Sequence, residues 1–368
     1  MENVLGVINL INEKPFLKEL TQHRVLASVP FAGRYRLIDF TLSNFVHANI
    51  TKVAVFTKEK YRSVMDHIGS GKEWDLDRSI GGLFFLPPIH PDEKLQGDLQ
   101  QFYDHLELFR RSHEDTVLIS PGHHVCKMDY NEIVDYHRKS GADITMVYKD
   151  YEGKPVEKLV YHTCQLDENE NVTDIGLYTS PKEGDHVSLE TFVIDKQLLI
   201  DLILNCRAND EYDFLKDALK AHLSTYKVKG FHFKGRLPFI HSVESFYESN
   251  MEFLNPEVLS SVFNEKWNVY TKKKHEAPAK YAASSSVSNS LVANGCDIQG
   301  IVENSIIFRG VKIKKGAVVK NSIIMQKGEI EEGAYVENVI TDKQVKITKD
   351  KMIIGHSQPE VVRKEEII

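Results

Sequence analysis

VLGVINLINEKPFL (Val4–Leu17) and then VPFAGRYRLIDFTLSN (Val29–Asn44) decide how the rest of the chain is read. Val4–Ile8 is short and apolar, the natural opening strand of a parallel sheet. VPFAGRYRLIDFTLSN carries the chain into a first helix, where Leu42, Phe45 and Val46 fall at helical spacing. In α/β sheets the loop after the first strand holds phosphates, because glycines bring backbone N–H groups to the anion and the next helix offers its positive end. Here that loop, Leu10–Leu17, has no glycine, a proline that lacks an N–H, and Glu13 where an anion would sit. The framework of a nucleotide site is present and its phosphate cradle is missing.

Outward from this stretch, strand-like and helix-like segments alternate to about Leu254. Strands are expected at Lys52–Phe56, Thr116–Ser120, Ile144–Tyr148, Tyr161–Gln165, Thr173–Leu177, Thr191–Ile194 and Tyr226–Phe231. Leu99, Phe102, Tyr103, Leu106 and Phe109 mark one face of a single amphipathic helix, and further helices are expected over Lys196–Leu204 and Phe214–Leu223. Asp129, with Glu132 three residues on, reads as an N-cap, as does Asp213. The alternation predicts a largely parallel, layered α/β sheet with a ligand cleft beyond the strands' carboxyl ends.

After Asn255 the composition changes. Residues 256–286 read as a linker, rich in Lys, Pro, Ala and Ser over Tyr270–Ser288. A repeat follows, Val-x-Asn-(Ser/Val)-(Ile/Leu)-(Ile/Val/Thr), with Asn289, Asn304, Asn321 and Asn338 spaced 15, 17 and 17 apart. Gly316 and Gly333, and Ala317 and Ala334, share the 17-residue interval. Three six-residue rungs less one residue give that period, so 287–368 is expected to be a short left-handed parallel β-helix. The domain reading is therefore 1–255, linker 256–286 and coil 287–368.

The bulk numbers exclude several classes. Across 368 residues, 46 lysines and arginines face 53 aspartates and glutamates, a formal net charge of −7. No nucleic-acid partner is expected, and Lys272–His275 reads as a solvated basic face. No apolar run reaches the roughly 20 residues of a membrane span. MENVLGVINL has neither a basic leader nor a small-residue cleavage site, so no signal peptide is expected. Cys126, Cys164, Cys206 and Cys296 are scattered, as reduced thiols of a cytoplasmic protein would be. His123-His124, with His90, His105 and His113, lacks the spacing of helical metal ligands, and no metal is expected there. Trp74 reads as a packing anchor.

An α/β domain followed by a hexapeptide coil resembles the sugar-nucleotide pyrophosphorylases, and within them bacterial ADP-glucose pyrophosphorylase. The phrases that carry the resemblance are VPFAGRYRLIDFTLSN, HIGSGKEWDLDR (67–78), GGLFFLPP (81–88), KMDY (127–130), Asp213-Phe214 with Lys216-Asp217, Glu244 through Asn250, and IIFRGVKI (306–313). The resemblance implies a Rossmann-like, GT-A-like nucleotidyltransferase domain. In active members glucose-1-phosphate attacks the α-phosphate of ATP, helped by a glycine-rich loop, cationic side chains and Mg²⁺ on two aspartates.

This chain departs from the family pattern at each of those points. The Gly-rich loop falls on Ile11–Leu17, and the phosphate-binding lysine of Arg-Ala-Lys-Pro falls on Leu26, after Arg24 and Val25. Gly-Thr-Ala-Asp-Ala falls on Gly97-Asp98-Leu99-Gln100-Gln101. The two metal aspartates fall on His123 and Phe239, and the lysine of the sugar-phosphate loop on Ser180. Losing one positioned charge stabiliser commonly costs a factor of about 10²–10³ in rate.

The resemblance therefore implies no catalytic residues and no productively bound ATP, Mg²⁺ or other cofactor. The chain is similar to the GlgD-type regulatory subunits of glycogen biosynthesis, which implies a catalytic GlgC-type partner, a heterotetramer, and self-association when alone. Arg34 and Arg36, which Arg24 could join, are candidates for a phosphate-bearing effector or a partner carboxylate, with ion pairs to Asp39 or local acids as the plainer reading. Asp213 and Phe214 are candidates for vestigial sugar binding. The alternatives are a weakly active glucose-1-phosphate adenylyltransferase and a hexapeptide acyltransferase. The second would need a histidine base, and the coil has none from Val287 to Met352.

Overall fold

The computed structural model describes residues 3–14, 16–90, 95–153, 161–263 and 266–368. They form two compact units, Met1–Lys14 with Phe40–Leu237, and Pro15–Asp39 with Pro238–Ile368. Packing thus places Pro15–Asp39 with the C-terminal residues, a grouping that composition along the chain does not reveal.

The first unit is built on one sheet of nine strands. They are β1 (Val4–Asn9), β2 (Lys52–Phe56), β3 (Gly82–Leu86), β4 (Thr116–Ser120), β5 (Ile144–Asp150), β6 (Tyr161–Leu166), β7 (Val172–Thr179), β8 (His186–Asp195) and β9 (Val228–His232). The main order is β9-β5-β8-β4-β1-β2-β3, and β6 joins through β8 and carries β7. β1 lies between β2 and β4, parallel to both, and Val4, Leu5, Val7 and Ile8 are all buried. A strand covered on both faces reads as a continuous apolar run, as this one does.

The expectation of a largely parallel sheet needs correction. β8 runs antiparallel to β4, β5 and β6, and β6 runs antiparallel to β7. For the β6–β7 pair the cause is a short connection: Asp167 Oδ1 accepts from the N–H groups of Asn169 and Asn171, both at 2.8 Å, and turns the chain directly back. The single helix expected through Phe109 is also two, Asp98–Asp104 and Leu106–Arg111. His105 lies at the break, its Nε2 3.1 Å from the Pro87 carbonyl. Phe102 and Phe109 still pack on Phe56 of β2, with ring centroids 4.7 and 6.0 Å away, while Tyr103 is exposed.

In the second unit three sheets of five parallel strands form the faces of the coil. Val302, Val319, Val336 and Ile353 stack in register on one face, as do Ile298, Ile313, Ile330 and Ile347 on another. With the hexapeptide spacing this is the expected left-handed parallel β-helix. The four repeat asparagines take φ of 40°, 44°, 44° and 54°, the left-handed corner that Asn tolerates best after Gly. A buried serine ladder supports them: Ser305 Oγ accepts from Ser322 N and Ser322 Oγ from Val339 N, each at 3.1 Å. The first paired strand, Lys280–Tyr281, and the helix Pro256–Val262 both fall in the stretch read as linker.

Candidate functional site

The glycine-free loop after β1 leads into a pocket of the first unit. Its lining includes Asn9 and Asn12, Lys14, Tyr178 at the end of β7, Glu190 of β8, and Asp213-Phe214. Gly97 makes the assembly possible. A Cβ there would lie 2.1 Å from the Tyr212 carbonyl oxygen, which instead accepts from Leu99 N at 3.0 Å. That close approach sets Asp98 against residues 213–214. Asp98 Oδ1 accepts from Phe214 N at 2.8 Å, and its Oδ2 accepts from the side-chain amides of Asn9 and Asn12, each at 2.8 Å. Burial, and then the neighbouring Asp213 carboxylate, push the Asp98 carboxyl up. Burial also pushes Asp213 up.

Lys14 is the ammonium of this pocket. Its Nζ lies 3.4 Å from Glu190 Oε1 and 5.4 Å from the centre of the Tyr178 ring. Burial pushes the Glu190 carboxyl up, but Lys14, then His162 and His123, outweigh it and bring it below its usual value. His162, 3.8 Å from Glu190, is held near 4 by burial and is neutral at pH 7. Glu190 sits at the bulge between Ser188 and Thr191 with φ 50°, and Tyr178 has φ 52°.

The positions the sequence marked as degenerate are accounted for as follows. Leu26 is buried, at the start of the 3-10 turn Leu26–Ser28. His123 packs edge-on to His124 at 5.0 Å, its Nδ1 is shut from solvent without a hydrogen-bond partner, and burial holds the ring near 4, hence neutral. Ser180 lies just beyond β7, half-buried. Phe239 is half-buried in the segment before the helix Val243–Met251, and its carbonyl oxygen lies 3.0 Å from His241 Nδ1. Among the described residues no group of three His, Cys, Asp or Glu could hold a metal ion. Asp213 caps its helix as expected, accepting from Lys216 N at 2.7 Å, and Phe214 is buried with its ring 5.2 Å from Phe192.

The three arginines separate. Arg34 is exposed, its guanidinium 5.5 Å over the Tyr35 ring, on the turn that joins Pro30–Phe31 to Tyr35–Arg36. Arg24 is buried, pairs with Asp342, and keeps its Nη1 buried without a hydrogen-bond partner. Lys343 follows Asp342 and is pulled down to about 7 by burial, then by Arg36 and Arg24. Arg36 donates its backbone N–H to Asp39 at 3.0 Å. Arg24, Arg36 and Lys343 therefore gather with Asp342 in the second unit, with Asp39 beside Arg36 and Lys364 adding to the positive field at Lys343. Sequence reading found the arginines but missed Asp342 and Lys343, which lie more than 300 residues away along the chain.

Comparison with known proteins agrees with this architecture. The nucleotidyl transferase family matches residues 17–252, and the GlmU-like C-terminal hexapeptide family matches 277–364. The chain is 41% identical over 364 residues to the glycogen biosynthesis protein GlgD of Bacillus subtilis, covering 98% of this chain and 96% of that one. It belongs to the GlgD group of the ADP-glucose pyrophosphorylase family. The GlgD protein of Geobacillus stearothermophilus is 37% identical over 86% of this chain and 82% of its own length. The glucose-1-phosphate adenylyltransferase of Thermosipho africanus is 35% identical over 86% of this chain and 78% of its own length. This membership places the chain in glycogen biosynthesis. No helix among the described residues is long and apolar enough to cross a membrane.

Proposed function

We propose that this chain is the regulatory, catalytically degraded subunit of ADP-glucose pyrophosphorylase, acting in the cytoplasm through a heterotetramer with a catalytic GlgC-type subunit. The observation that carries the reading is the chemistry at the two metal positions. Mg²⁺ takes hard oxygen ligands. A neutral imidazole at His123 and a phenyl ring at Phe239 do not fit it. The glycine-free loop, with its Lys14 ammonium held against Glu190, gives a triphosphate no backbone cradle. The relatives named GlgD are glycogen biosynthesis proteins, which supports the pathway in which this reading sets the chain.

The effector reading rests on the second unit. Arg24, though paired with Asp342, keeps a buried guanidinium nitrogen without a hydrogen-bond partner, and Lys343 is held down beside it by burial and the neighbouring arginines, an arrangement that a phosphorylated anion would relieve. Arg34, exposed over Tyr35, is assigned to partner contact instead. The test is direct. Purified alone, the chain is expected to release no pyrophosphate from ATP and glucose-1-phosphate above background. Mixed with the catalytic subunit, it is expected to form a larger complex by size exclusion with altered effector response. The adenylyltransferase names of several relatives favour one second reading, a weakly active enzyme. Single-chain pyrophosphate release abolished by EDTA would establish it and overturn the first.

A further inference from the structure

The three faces of the coil differ in what they carry. One holds Asp297, Lys312, Glu329 and Lys346 in register, with Lys312 Nζ 2.6 Å from Glu329 Oε1. Mixed charge of this kind suits a face left to solvent. A second holds Ile306, Ile323 and Ile340 in register, all fully buried. The third is built from Ile301–Glu303, Val318–Lys320, Tyr335–Glu337 and Met352–Ile354. The middle residues Val302, Val319, Val336 and Ile353 pack in the coil core, so the first and last residue of each strand turn outward. The first residues form an apolar column, Ile301, Val318, Tyr335 and Met352, in which Met352 is 65% exposed and Ile301 36%. The last residues form a second column, Glu303, Lys320, Glu337 and Ile354. Within it Lys320 Nζ lies 2.9 Å from Glu303 Oε2, and Tyr335 OH donates to Glu337 Oε2 at 2.6 Å.

Apolar side chains scattered over a surface need no explanation. Here they align at one position of four successive turns, a stripe about 14 Å long at ~4.8 Å per strand. A two-fold axis in the plane of this face can lie in two ways. Along the coil, it sets the apolar column of one copy on the charged column of the other. Across the coil, midway between the strands of Val318 and Tyr335, it sets each column on itself in reversed order. Ile301 then meets Met352 of the second copy, and Val318 meets its Tyr335. The same operation brings Lys320 to Glu337 of the second copy and Glu337 to its Lys320, so both symmetric charge contacts attract. Glu303 falls at the rim, opposite Ile354, and keeps Lys320 of its own chain.

We propose that a second copy of this chain docks on this face with the coil axes antiparallel, Val318 on Tyr335 and Lys320 on Glu337. The family resemblance implies self-association of the isolated chain and names no surface for it. The face is small beside the roughly 800 Å² a side of a standard interface, so the pairing is weak and belongs at roughly 10–500 µM chain. Neither ATP nor a catalytic partner enters it, so this pairing and the regulatory reading stand or fall separately.

The experiment is sedimentation velocity of the full chain over that concentration range. The native chain should show a reversible association step. Lys320→Glu sets two carboxylates together at both contacts, and Glu337→Lys sets two ammoniums together, so each variant alone should weaken the step at least about tenfold. Mixed in equal amounts, the two variants oppose carboxylate to ammonium at both contacts, and association should return to within about threefold of native. That recovery also shows that both variants fold. Met352→Gln, at a position open to solvent and so harmless to the fold, should weaken the step by about threefold through lost apolar burial. The proposal is overturned if neither charge variant weakens the step, or if the mixture associates no better than either variant alone. A native chain that stays single over the whole range, or associates only once a catalytic subunit is added, overturns it too.

Discussion

Lys343→Met removes a charge that folding carries at a cost. In the native unit burial, Arg36 and Arg24 bring this lysine from 10.5 to about 7. Below pH 7 the ammonium is charged in both folded and unfolded chains, and the folded state bears the whole penalty. Between pH 7 and 10.5 only the unfolded chain holds the proton, so stability rises with pH across that window, by up to ~1.4 kcal/mol per pH unit. At pH 7 the ceiling on the penalty is about 4 kcal/mol. The Met variant should therefore be more stable than the native chain at pH 7, and its advantage should shrink steadily towards pH 9. The same lysine gives an effector a signature. A phosphorylated anion among Arg24, Arg36 and Lys343 restores the ammonium, so binding takes up a proton and should weaken by up to about tenfold per unit above pH 7. Urea denaturation of both proteins from pH 6.5 to 9, with and without millimolar pyrophosphate, measures both effects. Native and variant curves that stay parallel across the whole range would refute the reasoning, as would pyrophosphate stabilising the native chain equally at pH 7 and 9.

The remaining predictions concern the supports of the two units. Gly97→Ala drives a methyl into the Tyr212 carbonyl and should cost about 2–4 kcal/mol of stability in denaturant melts. Ser322→Ala leaves the buried Val339 N–H without its acceptor and should lower stability by about 1–3 kcal/mol, read by hydrogen exchange at Val339 and its coil neighbours. Asp213→Ala removes the helix cap at Lys216 N, a loss of about 0.5–2 kcal/mol. It also relieves Asp98 of a neighbouring charge, so the Asp98 carboxyl should titrate lower in carbon-13 NMR.

The coil was legible because its physics is periodic. A corner that needs left-handed backbone recurs every turn, and so does the asparagine that tolerates it. Val4–Ile8, Lys52–Phe56 and Thr116–Ser120 were legible because strands buried on both faces write themselves as apolar runs. The direction of β8 was not, since antiparallel and parallel neighbours bury the same residue types. The break at His105 was hidden for a similar reason: Phe102 and Phe109 keep one apolar face across two short helices. At the sites, the departures at Leu26, His123, Ser180 and Phe239 showed as residue types unlike the family pattern at marked positions. The gains did not show. Nothing local announces that Glu190 will turn left-handed into a pocket beside Lys14, or that Lys343 will be packed beside Arg24 and Arg36.

Those gains divide charge between the two units in opposite senses, and this argues against simple decay. An active site that merely lost its function would drift towards neutrality, since no pressure would keep a carboxylate in a strained backbone at its wall. Glu190 instead stands at φ 50° against Lys14, with Asp98 and Asp213 on the same wall. In the second unit Arg24 is kept buried at a cost that a single carboxylate offsets only in part. On the regulatory reading proposed above, the buried Arg24 nitrogen without a hydrogen-bond partner is the point in the second unit at which a phosphorylated metabolite would be felt.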